Sequence, residues 1–218
     1  EALSRAERAR VAGGEPIVRV QALGSAHRLL VAERDRMGLF ADVAGLLAAQ
    51  GFTVRSAVLR TVDGVAEDEW HVDSPGGETP DAGAITRGLV RLADGDRTPL
   101  ARLDRLSRGR VRAGVSHASS SLAGSGSPGH TRAMLVPDAS ATATVIELRA
   151  TDRVGLLHDL GAALARAGLS VRSAHIATYA GQASDTFYLT QADGSPLTPA
   201  QVGRTVALLI ETSDGTSD

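Results

Sequence analysis

Cysteine is absent from the 218 residues, which excludes a disulfide scaffold, a thiolate metal site and a cysteine nucleophile. Aromatic residues are scarce as well: one Trp, two Tyr and three Phe. A core must therefore be assembled from Leu, Val, Ala and Ile. Neither sign of charge dominates, with 23 basic against 25 acidic side chains and a formal net charge of −2. That balance gives no electrostatic reason to expect nucleic acid as the main partner. No apolar run approaches the ~20 residues that span a bilayer. The first residues, Glu1 to Arg8, read as a charged helix rather than a signal peptide. What is present is a globular composition, 43% hydrophobic and 22% charged, long enough for one or two domains. The expectation is a soluble, cytoplasmic protein and, because residue 1 is Glu, a piece of a longer chain.

A repeat organises the chain. Asp35-Arg36-Met37-Gly38-Leu39-Phe40 recurs as Asp152-Arg153-Val154-Gly155-Leu156-Leu157, and holding that offset from Asp35 to Val72 leaves 16 of 38 positions identical. Each copy begins with an apolar strand, Arg28 to Glu33 or Thr144 to Ala150. A helix follows from near Gly38 or Gly155, with Leu39, Val43, Leu46 and Leu47, or Leu156, Leu160, Ala163 and Leu164, at helical spacing. Gly51 and Gly168 are placed to end these helices. A second strand covers Thr53 to Thr61 or Ser170 to Tyr179. The third covers Glu67 to Val72 or Ser184 to Thr190, with Trp70 and Phe187 directed at the helix-packed face. A second helix starts after Pro80 or Pro199.

The order β-α-β-β-α predicts an α+β fold of two ferredoxin-like β-α-β-β-α-β repeats, with antiparallel sheets and helices on one face. For copy one the closing strand is expected at Ala133 to Val136; copy two is expected to have a short or missing one. Ile17 to Ala22 is placed as a hairpin arm against Arg28 to Glu33. The resulting division is a helical tail over 1–16, a first repeat over 17–138, a second over 139–212 and a tail over 213–218. The first repeat carries a flexible Ser/Gly-rich insertion at about 107–131. The arginines at 97, 102, 105, 108, 110 and 112 read as a solvated helix end.

The repeated turn carries the chemistry. Glycine at a helix start lets a ligand approach the backbone, and first-turn N–H groups have no intrahelical partner. Those donors and the helix dipole suit a carboxylate or phosphate. An Asp three residues earlier can accept from an ammonium group. Carboxylate beside ammonium is the outline of a free amino acid. The candidate ligand-binding residues are Asp35, Arg36, Gly38, Leu39 and Phe40, with Asp152, Arg153, Gly155, Leu156 and Leu157. Capping of their own helices is the competing role for Asp35 and Asp152.

With Asp-x-x-Gly-Leu-Leu at its first turn, the unit resembles the ACT domain, a small-molecule-binding regulatory module. Val171 to Tyr179 followed by Ser184 to Leu189 is similar to the last ACT repeat of bacterial PII uridylyltransferase/uridylyl-removing enzymes. Asp138-Ala139-Ser140 matches the junction between that family's repeats. The resemblance covers roughly residues 17 to 212. It implies a C-terminal regulatory tandem that senses glutamine and controls uridylylation of the PII protein through upstream catalytic domains. It implies a chain that is itself non-catalytic and binds no cofactor, any Mg belonging to those domains, with a homodimer as a further expected association. Met37 and Val154 stand where the family usually has proline.

Apparent catalytic traces are weaker. Glu33-x-Asp35 after Gly24-Ser25 imitates a nucleotidyltransferase metal site, but Ala150 replaces Glu33 in copy two while Asp152 repeats Asp35. His158-Asp159 imitates a metal phosphohydrolase dipeptide; copy one has Ala41-Asp42 there, and a surface pair on an exposed helix start is expected. The other histidines show no ligand spacing. Asp68 and Asp185 are assigned to a turn or strand edge. RNA binding on the sheet needs stacking aromatics, which this composition does not provide. The remaining alternative is a dimerisation or partner-docking platform with vestigial ligand turns.

Overall fold

The computed structural model describes residues 3–74, 76–107, 130–179 and 181–215. The Ser/Gly-rich insertion expected at about 107–131 lies almost wholly outside the described residues. A first helix, α1 (Arg5–Ala12), is capped by Ser4, whose hydroxyl accepts from the Glu7 N–H in a capping box. The hairpin arm forms as expected: β1 (Ile17–Leu23) pairs antiparallel with β2 (Ala26–Arg34). Next come α2 (Leu39–Gln50), β3 (Thr53–Val58), the short β4 (Thr61–Val62), β5 (Val65–Asp73) and α3 (Ala82–Ala93). Residues 101–107 form a further helix, α4. The second copy follows as β6 (Arg132–Leu135), β7 (Thr144–Thr151), α5 (Leu156–Arg166), β8 (Leu169–Tyr179), β9 (Gln182–Gln191) and α6 (Pro199–Asp214).

All the strands join one sheet rather than two. Its order is β1-β2-β5-β3-β8-β9-β7-β6, with β4 alongside β5, and every pairing is antiparallel. The copies meet at the centre, where Ser56, Ala57 and Val58 of β3 pair with His175, Ala174 and Ser173 of β8. The Leu59 N–H extends the seam by donating to the Arg172 carbonyl at 2.9 Å.

One strand expectation is corrected. Residues 132–135 do not close the first copy; β6 pairs with β7, from Arg132 opposite Arg149 to Leu135 opposite Ile146, at the far edge of the sheet. The corresponding edge of copy one is taken by β1. In both copies the fourth strand therefore comes from before the unit, not from after its second helix. This explains why no closing strand follows α6 among the described residues.

The helices cover one face. Leu29, Val31, Trp70, Val72, Ile146, Leu148, Phe187 and Leu189 form a single cluster with the inner residues of α2, α3, α5 and α6. Trp70 and Phe187 are both fully buried there, and Trp70 stacks on Phe40 with ring centroids 5.2 Å apart. These two aromatics are thus spent inside the protein, on the face the strand alternation indicates. On the opposite face α1 covers the β2–β5 end: Leu3 and Val11 pack on Ala32 and Val65, and Arg8 pairs with Glu67 at 2.8 Å.

Helices α2 and α5 cross above the seam at close range. A Cβ on Gly161 would meet Phe40 at 2.7 Å and the Ala41 Cα at 3.1 Å. His158 Nδ1 lies 2.7 Å from the Ala41 carbonyl, so that nitrogen carries the proton it donates. His158 is therefore a buried link between the copies, not the surface group expected from its neighbour Asp159. Asp42 is likewise buried rather than exposed, held by Arg36 at 2.6 Å and Arg97 at 3.1 Å. Because Trp70 fills the centre of this shared core, Trp70→Ala should destabilise the chain by about 3–5 kcal/mol, read from chemical denaturation. A loss below about 1 kcal/mol would mean that the two copies do not share a tight core.

Candidate functional site

The repeated turns lie where the two copies face each other. Gly38 and Gly155 occupy the position before their helices with φ of +89° and +84°, a left-handed conformation that side chains resist. The turn is fixed in the same way both times. The Asp35 N–H donates to the Gly64 carbonyl at 2.9 Å, and the Asp152 N–H to the Gly181 carbonyl at 2.9 Å. Neither helix start has a side-chain cap, so capping is not the role of Asp35 or Asp152. Asp35 Oδ2 instead accepts from the Thr61 hydroxyl at 2.8 Å.

Arg36 and Arg153 clamp the turn to the first turn of the following helix. Arg36 donates to Glu33 at 2.8 Å and Asp42 at 2.6 Å. Arg153 donates to Asp159 at 2.5 Å and to the Thr212 carbonyl at 3.2 Å. Their guanidinium groups are engaged within the protein. The Glu33-x-Asp35 pair is accounted for in the same terms: Glu33 is the buried partner of Arg36, and burial pushes its carboxyl upward.

Two cavities result. The first, about 270 Å³, lies between the Asp35–Phe40 turn and the other copy, where Gly161 and Ala165 of α5 and Leu169 to Arg172 of β8 form the facing wall. The second, about 250 Å³, lies between Asp152–His158 and Ala44, Ala48 and the Gly51–Val54 segment of copy one. The facing walls correspond by the repeat offset: Gly161 to Ala44, Ala165 to Ala48, Val171 to Val54. All ten sequence candidates line one cavity or the other, each set of five around its own turn. Bulges at equivalent places, between Val54 and Ser56 and between Val171 and Ser173, set Arg55 and Arg172 out of register. Such bulges re-aim side chains. Arg172 lines the first cavity, whereas Arg55 is drawn to Asp73 at 2.6 Å.

The cavities are not identical. A Cβ on Gly38 would have only Ala165 nearby, at 3.9 Å, while one on Gly155 would meet Leu103 of α4 at 3.1 Å. The Ser107 hydroxyl also donates to the Val154 carbonyl at 3.3 Å. Helix α4 thus backs the second turn.

Sequence reasoning missed the buried carboxyls beside these turns. Asp68 and Asp185 are 1% and 2% exposed and sit on β5 and β9, inside the sheet rather than at a turn or edge. The signal was present: each is two residues before Trp70 or Phe187, so strand alternation puts it on the same covered face. Asp68 accepts from the Arg60 N–H at 3.3 Å, and Asp185 from the Ala177 N–H. Burial pushes both carboxyls up to about 7, with Asp35 and Glu33 adding to the shift at Asp68 and Asp152 at Asp185. Among the described residues no cluster of three or more His, Cys, Asp or Glu could hold a metal, and no helix is long and apolar enough to cross a membrane.

A carboxyl raised in the folded state stabilises the fold while protonated. That contribution is complete below the ordinary Asp value and is lost as pH rises through the folded one. The thermal midpoint should therefore fall between about pH 5 and about pH 8, and the Asp68→Asn/Asp185→Asn double variant should show a smaller fall. An equal or larger fall in the variant would contradict this assignment.

Residues 144–195 match the ACT domain family. The bifunctional uridylyltransferase/uridylyl-removing enzyme of Streptomyces coelicolor is 40% identical over 193 residues, 85% of this chain and 22% of that enzyme. The enzyme of the same description from Phenylobacterium zucineum is 36% identical over 205 residues, 92% of this chain and 21% of its own length. The chain thus spans about a fifth of these relatives. Among solved structures, aspartate kinase from Synechocystis aligns over 85% of this chain and 26% of its own, with 15% identity and a TM-score of 0.40. The chain thus carries an ACT domain at residues 144–195, sets a second copy of the same unit beside it in one sheet, and over most of its length is similar to a part of the bifunctional uridylyltransferase/uridylyl-removing enzymes.

Proposed function

We propose that this chain is a regulatory module that binds a free amino acid, glutamine foremost, and thereby controls uridylyltransferase and uridylyl-removing domains joined to it. The observation that carries this reading is the pair of corresponding cavities. Each is closed by the turn of one copy and the wall of the other. A ligand there touches both copies at once, so its binding energy acts on their relative arrangement. Control follows only if the arrangements differ in affinity for the ligand. The helix-start N–H groups suit the ligand's carboxylate, and the acidic groups around Asp35 suit its ammonium. Effects on the PII protein would be indirect, through the catalytic domains.

A docking or dimerisation role has its own support. Met134 and Leu135 are 45% and 44% exposed on edge strand β6, next to a groove lined by Leu135, Pro137, Leu197 and Val202. The readings separate in a thermal-shift panel of free amino acids. Glutamine at ~100 times its dissociation constant should stabilise the fold by about 2.7 kcal/mol. If no amino acid stabilises the chain while it self-associates through β6, the docking reading replaces the sensor.

A further inference from the structure

We propose that Asp68 anchors the ligand's ammonium group in the first cavity, making that cavity selective for ligands that carry a positive charge beside their carboxylate. The inference rests on the amino-acid reading and assigns a residue outside the repeated turn.

Asp68 lies at the wall of the first cavity yet is 1% exposed. One of its oxygens accepts from the Arg60 N–H; the other, Oδ2, has no hydrogen-bond partner among the described residues. A buried carboxyl with an unused oxygen is costly unless something supplies a donor. Its charged surroundings select the kind of donor. Glu33 and Asp35 face it with negative charge, from β2 and the turn, and Arg172 faces it from β8. Arg36 is already held by Glu33 and Asp42. An arriving ammonium would meet Asp68 and Asp35 together. The ligand's carboxylate would lie toward Arg172 and the N–H groups at the start of α2, at the other side of the same cavity.

The second copy provides the internal contrast. Asp185 is buried in the equivalent position, and its Oδ1 is also unpartnered among the described residues. Its cavity, however, is lined by Ile176, Thr178 and His158, and Asp185 is not part of its wall. Selection for the ammonium therefore belongs to the first cavity.

Proton linkage gives the inference a signature. Burial holds the Asp68 carboxyl at about 7 in the empty protein, so it is partly protonated near neutrality. An ammonium bound against it favours the ionised form. Affinity should rise about tenfold from about pH 6 to about pH 8, the factor set by ionising one group with a value near 7.

The test is isothermal titration of the 218-residue chain with L-glutamine and with glutaramic acid, the same molecule without its α-amino group, at both pH values. Glutamine should bind with the tenfold pH dependence and glutaramic acid at least tenfold more weakly. Asp68→Asn should lose the pH dependence together with tenfold or more in affinity, while Asp185→Asn keeps both. Equal binding of the two ligands by the unaltered chain would overturn the inference without any variant, should Asp68→Asn fail to fold. So would Asp68→Asn with unchanged affinity and pH dependence, and in either case the amino-acid reading would stand. Binding of neither ligand, nor of any other amino acid, would remove that reading and this inference with it.

Discussion

Three residue pairs at the centre of the sheet decide the shape of this molecule. Where Ser56, Ala57 and Val58 lie against His175, Ala174 and Ser173, two small units become one nine-stranded sheet. A short antiparallel pairing of this kind fixes register only with support from packing. Here the support comes from α2 and α5, which approach closely through glycines 45 and 161 and are joined by the His158–Ala41 hydrogen bond. The same seam aims each ligand turn at the other copy. Without it neither cavity would have a second wall.

The polar groups around the seam divide into those that hold the turns and those left available. Arg36, Asp42, Arg153 and Asp159 are committed to ion pairs with one another. They hold the Gly38 and Gly155 turns in a left-handed conformation that glycine accepts and other side chains resist. Asp35 and Asp68 line the first cavity, and Asp68 Oδ2 has no hydrogen-bond partner among the described residues, so these carboxyls have acceptors to offer a ligand. A site of this type uses backbone amides and carboxylates, in keeping with a chain that has no cysteine and few aromatics.

Much of this was legible in the sequence because duplication wrote it twice. The strands, the helices, the covered face of Trp70 and Phe187 and the Asp-Arg-x-Gly turns all follow from period and identity. The pairing of β6 did not, since Arg132 to Leu135 carry alternation but nothing that names a neighbour. Its place depends on β1 having already filled the edge beside β2. The burial of Asp42 and His158 was also hidden, because helical spacing shows which face is apolar within one copy but not that another helix lies across it. Asp68 was readable from its two-residue distance to Trp70, yet a carboxylate in a strand reads by default as exposed. What made it internal is the turn folded over it, a tertiary fact.

In the proposed function one ligand bridges the two copies at the seam. Amide hydrogen exchange of the chain with and without saturating glutamine reads this out. Exchange should slow in two distant segments together: residues 37–42 at the start of α2 and residues 169–172 at the start of β8. Protection of the turn alone, or of neither segment while glutamine is bound, would contradict it.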